Sequence, residues 1–294
     1  LSDLQGIFAA AITPFDAQGV FQPDWQAQHF AWLQQHGVEG VLVCGTNGEG
    51  PSLSYAERCA VIDAAVCNRG ALQLAAGTGT TSVAETIALS RYALEAGVDA
   101  ALLLPPYYFR DADEDGLIAY FRAVCDGLPP DGRMLFYHIP RYTGVPISSG
   151  LIRSLRESHP QQCYGLKDTG GDATHTGALV QEFPDLCVMG GSDHLVADNL
   201  RVGVRGQISG LANAIPDLLS GLFRAFRSGE PVDEWQAQIT AVQRIAKQYP
   251  LHAAIKLIAA DRMGLPPIAV KPPLRNLTAA EQSALRAELA TLAL

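Results

Sequence analysis

Eight times in succession, a short apolar run bounded by Gly or Pro gives way to a stretch with helical periodicity. The runs lie at residues 6–13, 40–44, 72–76, 100–104, 134–139, 163–167, 186–189 and 206–210. They are apolar without strict alternation, the pattern of strands covered on both faces. Residues 24–36, 55–68, 83–96, 114–126, 149–158, 174–182, 195–201 and 216–228 read as the helices that follow. Ser54 with Glu57, and Ser82 with Glu85, have the spacing of capping boxes. Gly37 and Gly97 stand where helix C-caps belong. Eight consecutive βα units predict an α/β fold, the (β/α)8 TIM barrel; an open doubly wound sheet usually has fewer units. Helical patterns at 235–248, 253–263 and 279–292 come after the eighth unit. They predict a barrel over residues 1–230 and a three-helix extension over 231–294 packed on it. By length alone 294 residues would suggest two domains. An α/β barrel of about 250 residues, however, is one.

Composition excludes several classes. With 48% hydrophobic and 17% charged residues, the chain is not disordered. A net charge of −9 argues against nucleic-acid or acidic-membrane partners, which need a basic footprint. No apolar run approaches the ~18–20 residues that span a bilayer. Residues 1–15 lack the pattern of an export signal, so a cytoplasmic location is expected. Cys44, Cys59, Cys67, Cys125, Cys163 and Cys187 form no C-x-x-C pair and read as reduced, buried, small hydrophobes. The seven histidines show no metal-ligand spacing, and His138 and His194, near strand ends, have no carboxylate cluster beside them in sequence. There is no G-x-S-x-G elbow and no G-x-G-x-x-G after the first strand, so neither a serine nucleophile nor a nicotinamide site is expected.

In such a barrel, chemistry sits at the C-terminal ends of the strands. Only four of the 21 basic residues are lysines, and one of them, Lys167, closes the sixth run. Burial disfavours an unpaired ammonium, so a lysine there loses its proton more easily and becomes a nucleophile toward carbonyls. The competing reading is a salt bridge to Asp168. Lys247 and Lys256 fall on extension helices and Lys271 in a proline-rich loop, which makes them poor rivals. Tyr137 ends the preceding run, either as a proton relay or as an ordinary core tyrosine. The stretch Gly45-Thr46-Asn47-Gly48-Glu49-Gly50 could offer N–H groups to a carboxylate or phosphate, or could be a plain turn. Gly190-Gly191-Ser192 and Ser209-Gly210 follow runs seven and eight, where many barrels bind phosphate.

Taken together, these pieces resemble the dihydrodipicolinate synthase / N-acetylneuraminate lyase family. The matching segments are Thr13-Pro14-Phe15, Gly45-Thr46-Asn47-Gly48-Glu49, Pro106-Tyr107-Tyr108, Tyr137 with Pro140 and Thr143-Gly144, Gly165-Leu166-Lys167-Asp168, and Gly191-Ser192-Asp193. They run nearly end to end, in order, at successive strand ends. The resemblance implies a class I mechanism that needs neither a metal nor an organic cofactor. Lys167 would form a Schiff base with the ketone of a pyruvate unit, and Tyr137 would shuttle the proton. Thr46 and Asn47, with the loop backbone at Gly48, would hold the carboxylate. Tyr108 would cross a dimer interface to complete a Thr46–Tyr137–Tyr108 relay, in a homotetramer built as a dimer of dimers. Arg141, Tyr142, Gly191 and Ser209 are the remaining candidates for contact with substrate.

Two departures bear on that substrate. Synthases of the family carry an arginine two residues after the proline of the fifth loop; here Tyr142 holds that position, with Arg141 one residue early. The second threonine of their G-T-T-G-E loop is Asn47. Gly50-Pro51-Ser52-Leu53-Ser54 looks like 2-keto-3-deoxygluconate aldolase, and Lys167-Asp168 with Gly170-Gly171-Asp172 looks like 4-hydroxy-2-oxoglutarate aldolase. The expected activity is therefore cleavage or formation of a 2-keto-3-deoxy sugar acid or 4-hydroxy-2-oxo acid, with pyruvate and an aldehyde as the other side of the reaction. The alternatives are 4-hydroxy-tetrahydrodipicolinate (dihydrodipicolinate) synthase, a keto-deoxy acid dehydratase using the same imine, a non-catalytic keto-acid-binding barrel, and a phosphate-binding barrel with other chemistry.

Overall fold

A computed structural model describes residues 3–292. Eight parallel strands close into a barrel in chain order: β1 (Gly6–Ala10), β2 (Gly40–Val43), β3 (Gln73–Gly77), β4 (Ala100–Leu103), β5 (Met134–His138), β6 (Cys163–Asp168), β7 (Cys187–Gly190) and β8 (Gly206–Ser209). The helices are α1 (Pro23–Gln35), α2 (Tyr55–Asn68), α3 (Val83–Ala96), α4 (Glu114–Gly127), α5 (Pro140–Thr143), α6 (Ser149–Ser158), α7 (Ala173–Glu182), α8 (Val196–Arg201) and α9 (Pro216–Arg227). The extension adds α10 (Asp233–Ala246), α11 (Leu251–Met263) and α12 (Ala279–Ala290).

Both faces of each strand are apolar, for different reasons. Phe8, Leu42, Leu102, Leu135, Met189 and Ile208 fill the barrel interior. Their neighbours Ile7, Val41, Phe136, Leu166 and Val188 belong to the layer between strands and helices. Gly40 has to lack a side chain, because a Cβ there would come within 2.3 Å of the Phe8 ring. Ser54 and Glu57 close a full capping box on α2, while Ser82 accepts from Glu85 N–H on α3. Gly97 takes the left-handed conformation that ends α3. The short α5 was not legible: a single turn begun by Pro140 is too brief to show a period. All six cysteines are free, but only four are buried; Cys67 is exposed and Cys59 half-buried, because both fall on the outward side of α2.

Among the described residues, α10 packs against α9 and against the turn Asp193–Leu195 that follows β7. Gln236 of α10 donates to the Asp193 carbonyl at 3.0 Å and accepts from Ala197 N–H at 2.9 Å. Lys256 of α11 forms an ion pair with Glu49, both side chains being wholly buried. The extension thereby reaches the loops at the C-terminal mouth of the barrel.

Candidate active site

Strand register decides which side chains meet. In the β5–β6 pair, Tyr137 lies beside Lys167 and His138 beside Asp168. Side chains alternate across a strand, so the first pair faces the barrel interior and the second the helix layer. Lys167 Nζ sits 4.5 Å from the centre of the Tyr137 ring, and both residues are 3% exposed. The Tyr137 hydroxyl is 3.3 Å from the Thr46 hydroxyl at the end of β2. Asp168 is not the salt-bridge partner of Lys167. Its carboxylate accepts from Gly170 N–H at 2.8 Å, Thr176 Oγ1 at 2.8 Å and His175 Nδ1 at 3.0 Å.

Lys167 and Tyr137 form the floor of a cavity of about 250 Å³ at the barrel mouth. That is below the ~300–1,000 Å³ of pockets for drug-sized ligands and suits a metabolite of a few carbons. Thr46, Asn47, Arg141, Tyr142 and Gly191 line it, as the sequence led us to expect. Gly48 does not; it packs against the end of β1, where Thr13 Oγ1 donates to its carbonyl at 2.6 Å. Ser209 lies beneath the lining, its hydroxyl accepting from Ala212 N–H at 3.0 Å, while Ile208 and Gly210 reach the surface. Tyr108 is 78% exposed and packs edge-on against Phe109. Its neighbour Tyr107 instead lines an adjoining cleft shared with Thr46 and Tyr142.

Three lining residues stand outside the site expected from sequence, Lys247 among them as a lysine set aside there as a poor rival to Lys167. Asp193 is buried, with one carboxylate oxygen accepting from Leu211 N–H at 3.2 Å and the other without a partner. Burial pushes its carboxyl above the usual range, against a smaller pull from a Ser209 hydrogen bond, Leu211 N–H and the charge of Lys167. His252 of α11 hydrogen-bonds the Thr46 carbonyl, and burial lowers its imidazole. Lys247 caps α10 and faces the same space. The scarcity of lysine was the one signal that could have flagged it.

His138 does have a carboxylate neighbour, contrary to the sequence-based expectation: ligand atoms of His138, Asp168 and His175 lie within 4.8 Å of one another. They do not make a ready cation site. His138 Nδ1 accepts from Ile147 N–H at 3.1 Å, which places the ring proton on Nε2, and both Asp168 oxygens are already bonded. The cluster ties β5 and β6 to α7 and holds the Thr169–Gly171 rim of the cavity.

Comparison with known proteins decides what this mouth belongs to. A model of the dihydrodipicolinate synthetase family matches residues 3–292. The chain belongs to that family. A relative from Chloroflexus aurantiacus, described as an uncharacterized DapA-like lyase, is 42% identical over 288 residues, covering 98% of this chain and 96% of that protein. YagE, a prophage protein of E. coli K12 in the dihydrodipicolinic acid synthase family solved in complex with pyruvate, superposes with a TM-score of 0.93 at 27% identity over 100% of both chains. KD(P)GA from T. tenax gives 0.88 at 29% identity over 99% of both. As a member of the dihydrodipicolinate synthetase family, the chain is a lyase on a TIM barrel. No helix among the described residues is long and apolar enough to cross a membrane.

Proposed function

We propose that the chain is a Schiff-base aldolase that cleaves, or in reverse forms, a 4-hydroxy-2-oxo acid or 2-keto-3-deoxy sugar acid. The observation that carries this reading is Lys167 Nζ beside the Tyr137 ring, with the Tyr137 hydroxyl on Thr46. Lys167 Nζ attacks the C2 ketone, Tyr137 gives its proton to the departing hydroxyl, water leaves, and a protonated imine forms beside the Tyr137 phenolate. The C4 hydroxyl gives its proton to Tyr137, the C3–C4 bond breaks, and its electron pair moves into the imine. An aldehyde departs and an enamine remains. The enamine takes a proton at C3, and water releases pyruvate and free Lys167. Low exposure around Lys167 keeps bulk water from the enamine. Thr46 and Asn47 hold the carboxylate.

The synthase reading has its own support in the family's name and in Arg141, which lines the cavity although it stands one residue from the synthase position. A homotetramer, with Tyr108 entering a neighbouring site, belongs to either version; exposure of Tyr108 at 78% and Phe109 at 67% supports it. Six free cysteines support a reducing, cytoplasmic setting. The test is borohydride reduction with pyruvate present, followed by peptide mapping. An adduct on Lys167 is expected, and its absence sinks the mechanism. Pyruvate release from a panel of keto-deoxy acids, set against consumption of aspartate semialdehyde, separates aldolase from synthase.

A further inference from the structure

The four lysines have four different fates. Lys167 lies at the cavity floor, Lys256 is paired with Glu49, and Lys271 is paired with Glu57. Among the described residues Lys247 forms no ion pair or side-chain hydrogen bond, yet it lines the cavity that holds Lys167. A lysine at a helix C-terminus is favourable through the helix dipole, but that holds whichever way the side chain turns. Here its base is fixed in place. Gln236, on the same helix, bonds the Asp193 carbonyl at 3.0 Å and Ala197 N–H at 2.9 Å, which pins α10 to the loop after β7.

The cavity also reverses the charge of the molecule around it. The chain carries a net −9. The lining carries the cationic side chains of Lys167, Arg141 and Lys247 against the single carboxylate of Asp193. Arg141, on α5, has no ion-pair partner among the described residues either; its guanidinium lies 5.5 Å from the centre of the Tyr142 ring. A pyruvate unit anchored at Thr46 and bonded to Lys167 uses its one carboxylate at the floor. It leaves two unpaired cations at the rim, on α5 and α10.

We infer that Lys247, assisted by Arg141, recognises a second anionic group at the far end of the substrate, so that the aldehyde half carries a terminal carboxylate or phosphate. This rests on the Schiff-base reading above and narrows its substrate class. An ammonium or guanidinium meeting such a group forms charge-assisted hydrogen bonds that a neutral hydroxyl cannot match. Both cations face solvent until the substrate arrives, so their attraction also weakens as salt rises.

The experiment is aldol addition of pyruvate to paired aldehydes: glyceraldehyde 3-phosphate against glyceraldehyde, and succinate semialdehyde against its methyl ester. The anionic member of at least one pair should be preferred in kcat/KM by about tenfold or more, the worth of one charge-assisted hydrogen bond. The pair that shows the preference tells phosphate from carboxylate. Lys247→Gln should collapse that ratio toward one, and Lys247→Arg should restore most of it. A purely structural role for Lys247 would move both members of a pair together and leave the ratio intact. Equal use of charged and neutral aldehydes overturns the inference while leaving the Schiff base standing. Failure to form a pyruvate adduct on Lys167 overturns both.

Discussion

Lys256→Met tests whether the extension builds the site or merely decorates the barrel. In the native protein Lys256 Nζ is bonded to Glu49 and to the Ala269 carbonyl at 2.7 Å, and lies 4.4 Å from the centre of the Phe15 ring. The other Glu49 oxygen accepts from Lys271 N–H at 2.7 Å. Methionine would fill the aliphatic volume but leave one carboxylate oxygen and one carbonyl without a donor. With both side chains at 0% exposure, the loss should be that of breaking a buried pair, about 3–5 kcal/mol. Lys256→Met/Glu49→Gln removes the stranded charge while keeping an acceptor for Lys271 N–H, and should recover at least half of that loss. Urea unfolding followed by circular dichroism, with m-values compared, measures both variants. Glu49 holds a left-handed conformation, φ 56°, in the loop that carries Thr46. KM for pyruvate should therefore rise more than kcat falls. A loss under about 1 kcal/mol, the size of an exposed pair, would refute the reasoning. So would a double variant no more stable than Lys256→Met.

Three further outcomes follow from the same geometry. Tyr137→Phe should lower kcat by about 10²–10⁴-fold, measured as pyruvate release, because it removes the proton relay bonded to Thr46; a change under tenfold would relegate Tyr137 to packing. On the proposed relay, Tyr108→Phe should cost roughly tenfold or more in kcat, less than Tyr137→Phe because it would act one hydrogen bond further out, with the size of any assembly on a sizing column unchanged; full activity would remove Tyr108 from the relay. His29 is fully buried without a hydrogen-bond partner, and burial pushes its imidazole from 6.5 down to about 3. The unfolded chain then binds the extra proton, so stability falls as pH drops below about 6.5, by about 3 kcal/mol between pH 7 and pH 4. His29→Phe should abolish that share of the acid sensitivity in urea titrations at the two pH values; an identical pH dependence would show that His29 does not contribute.

The barrel was legible because its signal is repeated. Strands covered on both faces leave short apolar runs, and eight of them in sequence leave little choice of architecture. Their ends were less so. β1 stops at Ala10 although the apolar run continues to Thr13: Ala11 N–H makes the last bond to β2, at the Leu42 carbonyl, and Ile12 N–H turns to the Asn213 side chain. Lys167 could be found from position alone, since it closes a strand. That Asp168 turns away from it required the pairing register. The contributions of the extension were hidden for a different reason: Lys256 meets Glu49 across 207 residues of sequence, a contact to which neither helical period nor motif points. Gly48 and Ser209 illustrate the reverse error. Both sit in the right loops, but one packs on β1 and the other caps its own turn beneath the cavity.

Net charge by itself says little about what this cavity admits. A chain at −9 should repel an anionic keto acid, and capture would then fall to N–H groups and hydroxyls alone. At physiological salt, however, charges more than about 8 Å away are largely screened, so an arriving substrate responds mainly to the rim it touches. That rim presents Arg141 and Lys247. Asp193, the one acid in the lining, is outnumbered there by Lys167, Arg141 and Lys247. Much of the acidic excess instead lies on the outside, where Asp24, Asp111, Glu157 and Glu230 are exposed. Acidity of the whole and affinity for an acid are thus compatible, because exposed acids lie outside the lining while Arg141 and Lys247 belong to it. The arrangement predicts that raising salt weakens substrate capture, the opposite of what screening a repulsive −9 would do.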